Sequence, residues 1–359
     1  METQINKLNF TGENIYAGID VHKKSWTVTL ETDEIALKTF NQPPDPSKLT
    51  NYLHRNFPGA NYKCGYEAGF CGFWIYDYFK EHGIDCIVAN PADVPTKDKE
   101  KKQKRDPIDS RKIARSLRNG ELEGIHVHDQ EDREARGLVR CCKKLVRDLT
   151  RYKCRIKSLL LFHGINYSEE FEKSSTHWSK CFIEWLESIE LKTNEGTYTL
   201  RTYIEQAKFT NEQVKKVRKE IAKLSKSEKY VKQMEWLRSV CGIGPSAAMI
   251  YVTELGDINR FHGLDKLCSY VGVVPNSSSS GPNERIGEMT NRGNSLLKEI
   301  TVECSWVAIR QDPALLMKYK QSCKKMDANK AIIKTAKRLL NRIRYVLKNQ
   351  TTYVKGVVS

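Results

Sequence analysis

Between residues 15 and 30 the chain is crowded with apolar and β-branched side chains. Ile15-Tyr-Ala-Gly-Ile-Asp-Val21 is followed by Trp26-Thr-Val-Thr-Leu30, with a polar stretch at His22–Ser25 between them. That pattern predicts two strands joined by a turn, with Glu34–Phe40 continuing the meander. Asn41–Pro46 reads as a Pro-rich loop, and Ser47–Asn56 as a short helix behind a serine cap. Asn61–Tyr66 predicts a strand ending at Glu67, Phe73–His82 an amphipathic helix, and Asp85–Ala89 a buried strand stopped at Pro91. Thr96–Arg105 is a basic loop. Asp106-Pro107 then opens a helix, Asp being a favoured N-cap and Pro a favoured first helical residue. Antiparallel strands followed by alternating helices and strands fit a mixed α/β sheet with helices on its faces.

Beyond residue 130 the period changes. Leu138, Leu145, Leu149, Ile156, Leu159 and Leu160 recur at near-heptad spacing, predicting a long basic helix over 131–163 that Gly164 ends. Residues 167–210 show no dominant period. Val214, Val217, Ile221, Leu224 and Val231 predict a second long helix over Asn211–Val240. Two such helices suit an antiparallel pair, an oligomerisation element or an ordinary helical core. Val240-Cys-Gly-Ile-Gly-Pro-Ser-Ala-Ala248 reads as a Gly-rich hairpin between helices, and Pro275–Gly293 as a polar loop rich in Gly and Ser. A helix resumes at Ser295, and a basic helix over Asn329–Leu347 follows.

Charge changes this picture. Across 359 residues, 60 Lys and Arg stand against 44 Asp and Glu, a net charge of +16. That excess argues for a polyanionic partner, most often nucleic acid. It is concentrated: Lys97–Arg118 is net +6, Arg133–Lys157 net +8 and Lys318–Lys348 net +10, leaving the remainder at −8. Three basic stretches on a mildly acidic background read as docking surfaces. No apolar run is long enough for a membrane span, and Met1–Gly12 lacks the apolar segment of a secretion signal, so the expected site of action is the cytosol. The 11 cysteines include no Cys-x-x-Cys pair and read as small core residues.

Three groups carry candidate chemistry. Asp20, flanked by Ile19 and Val21 at the centre of a strand, is costly unless paired or bound to a cation. Glu67 ends another strand, and Asp106 and Asp109 share one helix face. Four carboxylates on neighbouring elements suit two divalent cations, the arrangement used for in-line displacement at phosphorus, and magnesium suits an all-oxygen site. Asp106 and Asp109 also read as an ordinary N-cap and first-turn acid. Gly242-Ile-Gly244 is similar to a helix-hairpin-helix turn, which grips nucleic-acid backbone; a helix–helix turn without a ligand fits equally. The run Ser277-Ser-Ser-Ser280 before Gly281 reads on composition as a linker, yet Ser-Gly at a constrained turn can present a nucleophilic hydroxyl.

Gly18-Ile-Asp-Val-His-Lys23, Tyr66-Glu-Ala-Gly69 and Asp106-x-x-Asp109 resemble the N-terminal domain of the DEDD-type transposases of the insertion-sequence one-ten family. Gly242-Ile-Gly-Pro245, Glu254-Leu-Gly-Asp257, Tyr270-Val-Gly-Val-Val-Pro275, Ser280-Gly281 and Arg292-Gly-Asn-Ser-Leu-Leu297 resemble its C-terminal domain, in the same order. The resemblance implies a RuvC-like, ribonuclease-H-like α/β domain over 13–130 and a helical coiled-coil dimerisation region over 131–238. A mainly α transposase domain with the helix-hairpin-helix-like turn would span 239–350. It implies a metal site of Asp20, Glu67, Asp106 and Asp109 holding two magnesium ions, and a serine nucleophile at Ser280, or Ser279 if the register differs by one. It further implies donor and target DNA as substrates, a structured guide RNA from the same element, a homodimer assembling to a tetramer, and a prokaryotic, nucleoid-associated protein. Departures are local: Arg105 and Ser110 stand where the family usually has Thr and Ala, and Cys241 where it usually has Pro. Two other readings fit the residues: a RuvC-like resolvase without serine chemistry, and a non-catalytic nucleic-acid-binding protein.

Overall fold

Ile15, Ala17 and Ile19 pack on one face of the first strand and Tyr16 and Gly18 on the other, and all five are buried. Only a strand covered on both sides needs that pattern. The computed structural model describes residues 9–96, 106–280, 283–290 and 292–354, with the backbone alone for 276–280 and 283–288. It divides into two compact units that meet between Val127 and His128.

The first unit is a five-stranded sheet of β1 (Asn14–Val21), β2 (Trp26–Glu31), β3 (Ala36–Gln42), β4 (Asn61–Glu67) and β5 (Asp85–Ala89). The order is β3-β2-β1-β4-β5; the meander β1–β3 is antiparallel, and β4 runs parallel to both β1 and β5. Helices α1 (Pro46–Asn56) and α2 (Trp74–Glu81) cover the face that carries Ile15, Ile19 and Val28, packing Leu49, Leu53, Ile75 and Phe79 against it. The cap of α1 is Asp45, not a serine: its side chain accepts from Ser47 N, and Pro46 occupies the first turn. Helix α3 (Asp106–Arg118) covers the opposite face with Ile113 and Leu117, packed on Tyr16, Ala89 and Leu122.

The seat of α3 is set by two glycines paired across β1 and β4, Gly18 and Gly65. A methyl group at Gly18 would lie 2.1 Å from Ser110 O and 2.3 Å from Ala114 N, so the helix backbone rests directly on the strand. Side chains alternate along a strand. Asp20, two residues past Gly18, and Glu67, two past Gly65, therefore share the α3 face. They stand one step beyond the paired Ile19 and Tyr66, where both strands end. Asp20 is thus the last residue but one of β1, not its centre.

The second unit is helical. Helix α4 (Gln130–Phe162) is capped by Asp129, and α5 (Lys180–Ser188) and α6 (Asn194–Leu224) follow. Leu149, Ile156 and Leu160 pack on Phe182, Leu186, Leu200 and Ile204, so the two long helices pair within one chain. The second long helix is interrupted at Ser225–Ser227 and continues as α7 (Glu228–Ser239). The break lets α7 turn onto the start of α4, where Tyr230 donates to Asp132 at 2.7 Å and Lys229 lies 2.8 Å from Asp132 and 3.2 Å from Asp129 and Glu131.

A larger core joins α8 (Pro245–Leu255), α9 (Leu264–Val271), α10 (Ser295–Gln311), α11 (Pro313–Cys323) and α12 (Ala328–Asn349) with Ala135 and Val139 of α4. The segment expected as a polar loop is mostly a β-hairpin, β6 (Pro275–Ser280) with β7 (Asn283–Met289). Ser, Asn and Pro are poor strand formers, so composition concealed it. Cys64, Cys86, Cys241, Cys268 and Cys304 are buried as expected, whereas Cys141, Cys154, Cys181 and Cys323 are exposed. No helix among the described residues is long and apolar enough to cross a membrane.

Candidate active site

The four acids named from the sequence lie on three packed elements of the first unit. Asp20 and Glu67 end adjacent parallel strands, and Asp106 and Asp109 occupy the first turn of α3. His22, just past β1, places Nε2 3.1 Å from Asp20 Oδ2 and 3.5 Å from Asp106 Oδ1. One ligand atom from each of Asp20, His22 and Asp106 falls within 4.8 Å of the others. Lys112 places Nζ 3.1 Å from Asp109 and 3.3 Å from Glu67, with only 9% of its side chain exposed.

Burial pushes the Asp20 carboxyl above its ordinary pKa; His22 pulls it down, and Asp106 and Asp109 push it further up. Burial pulls Lys112 down, but its bonds to Asp109 and Glu67 outweigh that and hold its ammonium charged. A cluster of carboxylates with one raised acid gains by taking up a cation. Its donors are carboxylate oxygens plus one imidazole nitrogen, a set that suits a divalent cation. His22 and Lys112 were not identified from the sequence as site residues. The one signal for Lys112 was its position three residues after Asp109, on the same helix face; His22 read as a turn residue.

The second unit holds the serine run. Ser277, Ser278, Ser279 and Ser280 pair with Ile286, Arg285, Glu284 and Asn283, so Ser280 is the last strand residue before the turn. Gly281 lies outside the described residues, as do Lys97–Arg105 of the first basic stretch. The hairpin base is tied down: Thr290 N donates to Val274 O at 3.0 Å, and Asn294 N to Tyr270 O at 2.8 Å. The Asn294 side chain donates to Glu254 at 2.6 Å, and the Tyr270 hydroxyl to the Glu254 carbonyl at 3.0 Å. Glu254 is fully buried and also takes Arg136 at 2.8 Å and Arg140 at 2.6 and 2.9 Å. Three of the C-terminal sequence motifs therefore meet at one residue, Asn294 on the Glu254 carboxylate and Tyr270 on its backbone carbonyl.

In the Gly-Ile-Gly turn the two glycines differ. Gly242 has φ +88°, donates its N–H to Gln311, and would drive a methyl group to 2.4 Å from Cys304 O. Its role is packing. Gly244 has open space around it and leaves the start of α8 exposed.

The basic stretches are partly spent inside the fold, which corrects their reading as docking surfaces. Arg136 and Arg140 serve Glu254, and Lys143 and Arg147 hold Glu299 at 2.6 and 3.1 Å. Arg342 pairs with the buried Asp312 and lies over Tyr353, and Arg344 donates to the His262 carbonyl. Lys318, Lys334, Lys337 and Arg338, with Arg342 beside them, line a groove of about 660 Å³ next to Leu264 and Leu315, and no acidic side chain among the described residues lines it.

Comparison with known proteins places these features together. Residues 17–164 match the family model of the DEDD transposases of IS110 type, and residues 234–321 match that of the transposase IS116/IS110/IS902 family. The chain is 30% identical to a Sinorhizobium fredii protein named as transposase y4qE, over 67% of this chain and 57% of that one, so it spans little more than half of that relative. It is 27% identical to the transposase for insertion sequence element IS1533 of Leptospira borgpetersenii, over 71% of this chain and 75% of that one. It is 23% identical to the transposase for insertion sequence element IS1111A of Coxiella burnetii, over 68% and 64%. Two matches in the family's order, one covering all four acids and the other the Gly-Ile-Gly turn and the serine hairpin, identify the chain as a member of the IS110 family of DEDD-type transposases.

Proposed function

We propose that this chain cleaves and rejoins DNA strands as the recombinase of an insertion sequence, with a RuvC-like metal site of Asp20, Glu67, Asp106 and Asp109 and a serine nucleophile at Ser280. The observation that supports the reading is the placement of the four acids at the ends of β1 and β4 and in the first turn of α3, with Asp20 and Asp106 gathered at His22 and Glu67 and Asp109 at Lys112. Magnesium bound there, two ions by the chemistry of such sites, would neutralise charge developing on the phosphate. Asp20 and Asp106 would hold it from one side and Glu67 and Asp109 from the other. The serine hydroxyl forms one P–O bond while a second P–O bond breaks, and the departing deoxyribose hydroxyl takes up a proton as serine gives one up. Reversal with another strand's hydroxyl rejoins DNA and frees the serine.

Domains of 13–130, 131–238 and 239–350 would divide metal chemistry, coiled-coil dimerisation and serine chemistry. A structured RNA from the same element would guide a dimer that pairs into a tetramer on donor and target DNA, in the prokaryotic cytoplasm beside the nucleoid. Sequencing the RNA that copurifies with the protein tests the guide.

The decisive test is a denaturing gel after reaction with a cognate DNA. A protein–DNA adduct is expected, and Ser280→Ala should remove it while Ser277→Ala and Ser278→Ala leave it. Loss in Ser279→Ala instead moves the nucleophile by one residue. Recombination that persists in every serine variant overturns serine chemistry in favour of a resolvase.

Nucleic-acid affinity should fall steeply with salt. Neutralising Lys334, Lys337 and Arg338 together, which line the groove, should weaken binding across sequences and flatten the log–log salt slope by about 3. Arg342→Ala should instead lower the melting temperature, because it strips the buried Asp312 of its partner. A salt slope unchanged in the triple variant would remove the groove from the binding surface.

A further inference from the structure

The four acids form two sets of different charge. Asp20 and Asp106 stand with the imidazole of His22 between them. Glu67 and Asp109 stand with the ammonium of Lys112 between them. We propose that Lys112 is a built-in counter-cation that keeps a second divalent ion out of the free protein, so that the chain without nucleic acid holds one ion, at Asp20 and Asp106. The inference rests on the reading of the four acids as metal ligands.

The geometry carries the argument. Lys112 is held at 3.1 and 3.3 Å by both carboxylates at once and is nine-tenths buried, so it is not a surface lysine that happens to swing past. An ion between Glu67 and Asp109 would compete for the oxygens the ammonium already uses, and like charges repel strongly at such separations in a partly desolvated site. Among the described residues, no lysine or arginine is held between Asp20 and Asp106; their companion is the His22 imidazole, a nitrogen donor. Two carboxylates without a built-in charge match a divalent ion, whereas two carboxylates that share an ammonium are already half neutralised. Lysine suits a removable plug: its charge is a single point on a flexible four-carbon stem, and a phosphate oxygen offers it another partner. A free chain held to one ion lacks the paired ions of in-line displacement, which guards DNA against cutting before the substrate is in place.

The test is a manganese titration of the full-length protein without nucleic acid, with free Mn²⁺ read by electron paramagnetic resonance. The parent should bind one ion per chain. Lys112→Met, of similar length and without charge, should bind two, its second site gaining at least about ten-fold in affinity. Lys112→Arg keeps the charge and should stay at one. Lys112→Gln, a polar replacement that preserves hydrogen bonding should the Met variant unfold, should also bind two. Asp20→Asn should take the parent to none and its combination with Lys112→Gln to one. Two ions on the parent, or one on folded Lys112→Met and Lys112→Gln, overturns the plug and leaves the metal reading standing. No binding to the parent and to every variant overturns the metal reading itself.

Discussion

An Asp20→Asn chain is expected to bind nucleic acid as its parent does and to lose strand cleavage by about a hundred- to a thousand-fold, the usual cost of removing one group that stabilises charge in a transition state. The substitution keeps the shape of the side chain and deletes its charge. Asp20 is the acid for which that matters most: it stands 3.1 Å from His22, it lies on the α3 face of the sheet, and its carboxyl is already pushed up by burial and by Asp106 and Asp109. A neutral amide there leaves Asp106 and His22 without the third ligand of their cluster. Single-turnover cleavage on a gel, beside a binding isotherm at the same salt, separates the two effects. Cleavage by Asp20→Asn at the parental rate would remove this residue from the chemistry.

The largest effect on stability is expected at Glu254. Burial would raise its pKa, but the bonds from Arg140, Arg136 and Asn294 more than reverse that and carry it from an ordinary 4.5 to about 2. A carboxyl with a folded pKa below its unfolded one adds stability that is whole above the unfolded value and is lost as pH falls toward the folded one. The difference here corresponds to about 3 kcal/mol. Glu254→Gln, which keeps the volume and removes the charge, should therefore be destabilised by about 3 kcal/mol at neutral pH, measured by urea unfolding of the second unit. The gap between parent and variant should close as the pH falls from about 4.5 toward 2. Glu299, Asp129 and Asp312 are also held below their ordinary values, so acid sensitivity persists in the variant with a shallower slope. Equal stability of the two proteins at neutral pH would show that the arginines find water as readily as they find Glu254.

Much of the first unit was legible because its rules are local. The crowding of apolar and β-branched residues along Ile15–Val21 marks a strand, and an Asp-Pro pair marks a helix start. The four acids could be named from order and family resemblance alone. That they share a face follows only once Gly18 and Gly65 are seen to seat α3. His22 escaped because a histidine in a turn carries little signal until its neighbours are known, and the i, i+3 spacing of Lys112 from Asp109 was lost in a basic stretch. The same limit applied to charge. Counting Arg136, Arg140 and Arg342 as docking cations ignored partners that the chain supplies from afar, Glu254 and Asp312. The hairpin and the break at Ser225–Ser227 were missed for the complementary reason: tertiary packing, not propensity, decides them.

The bridge from Arg136 to Glu254 joins residues 118 positions apart in the chain. At ribosomal speeds of about 5–20 residues per second, that separation is about 6–24 seconds of synthesis. Both cores of the first unit lie before residue 128, so its sheet and its four acids can be complete while the second unit is still being made. Helix α4 then emerges and waits, with Ala135 and Val139 uncovered and its arginines unpaired, until α8 follows. Birth order thus leaves the front of α4 waiting for partners made later in the chain. Charge repulsion among its cations, the same feature that suggested a nucleic-acid surface, opposes association of two such waiting copies.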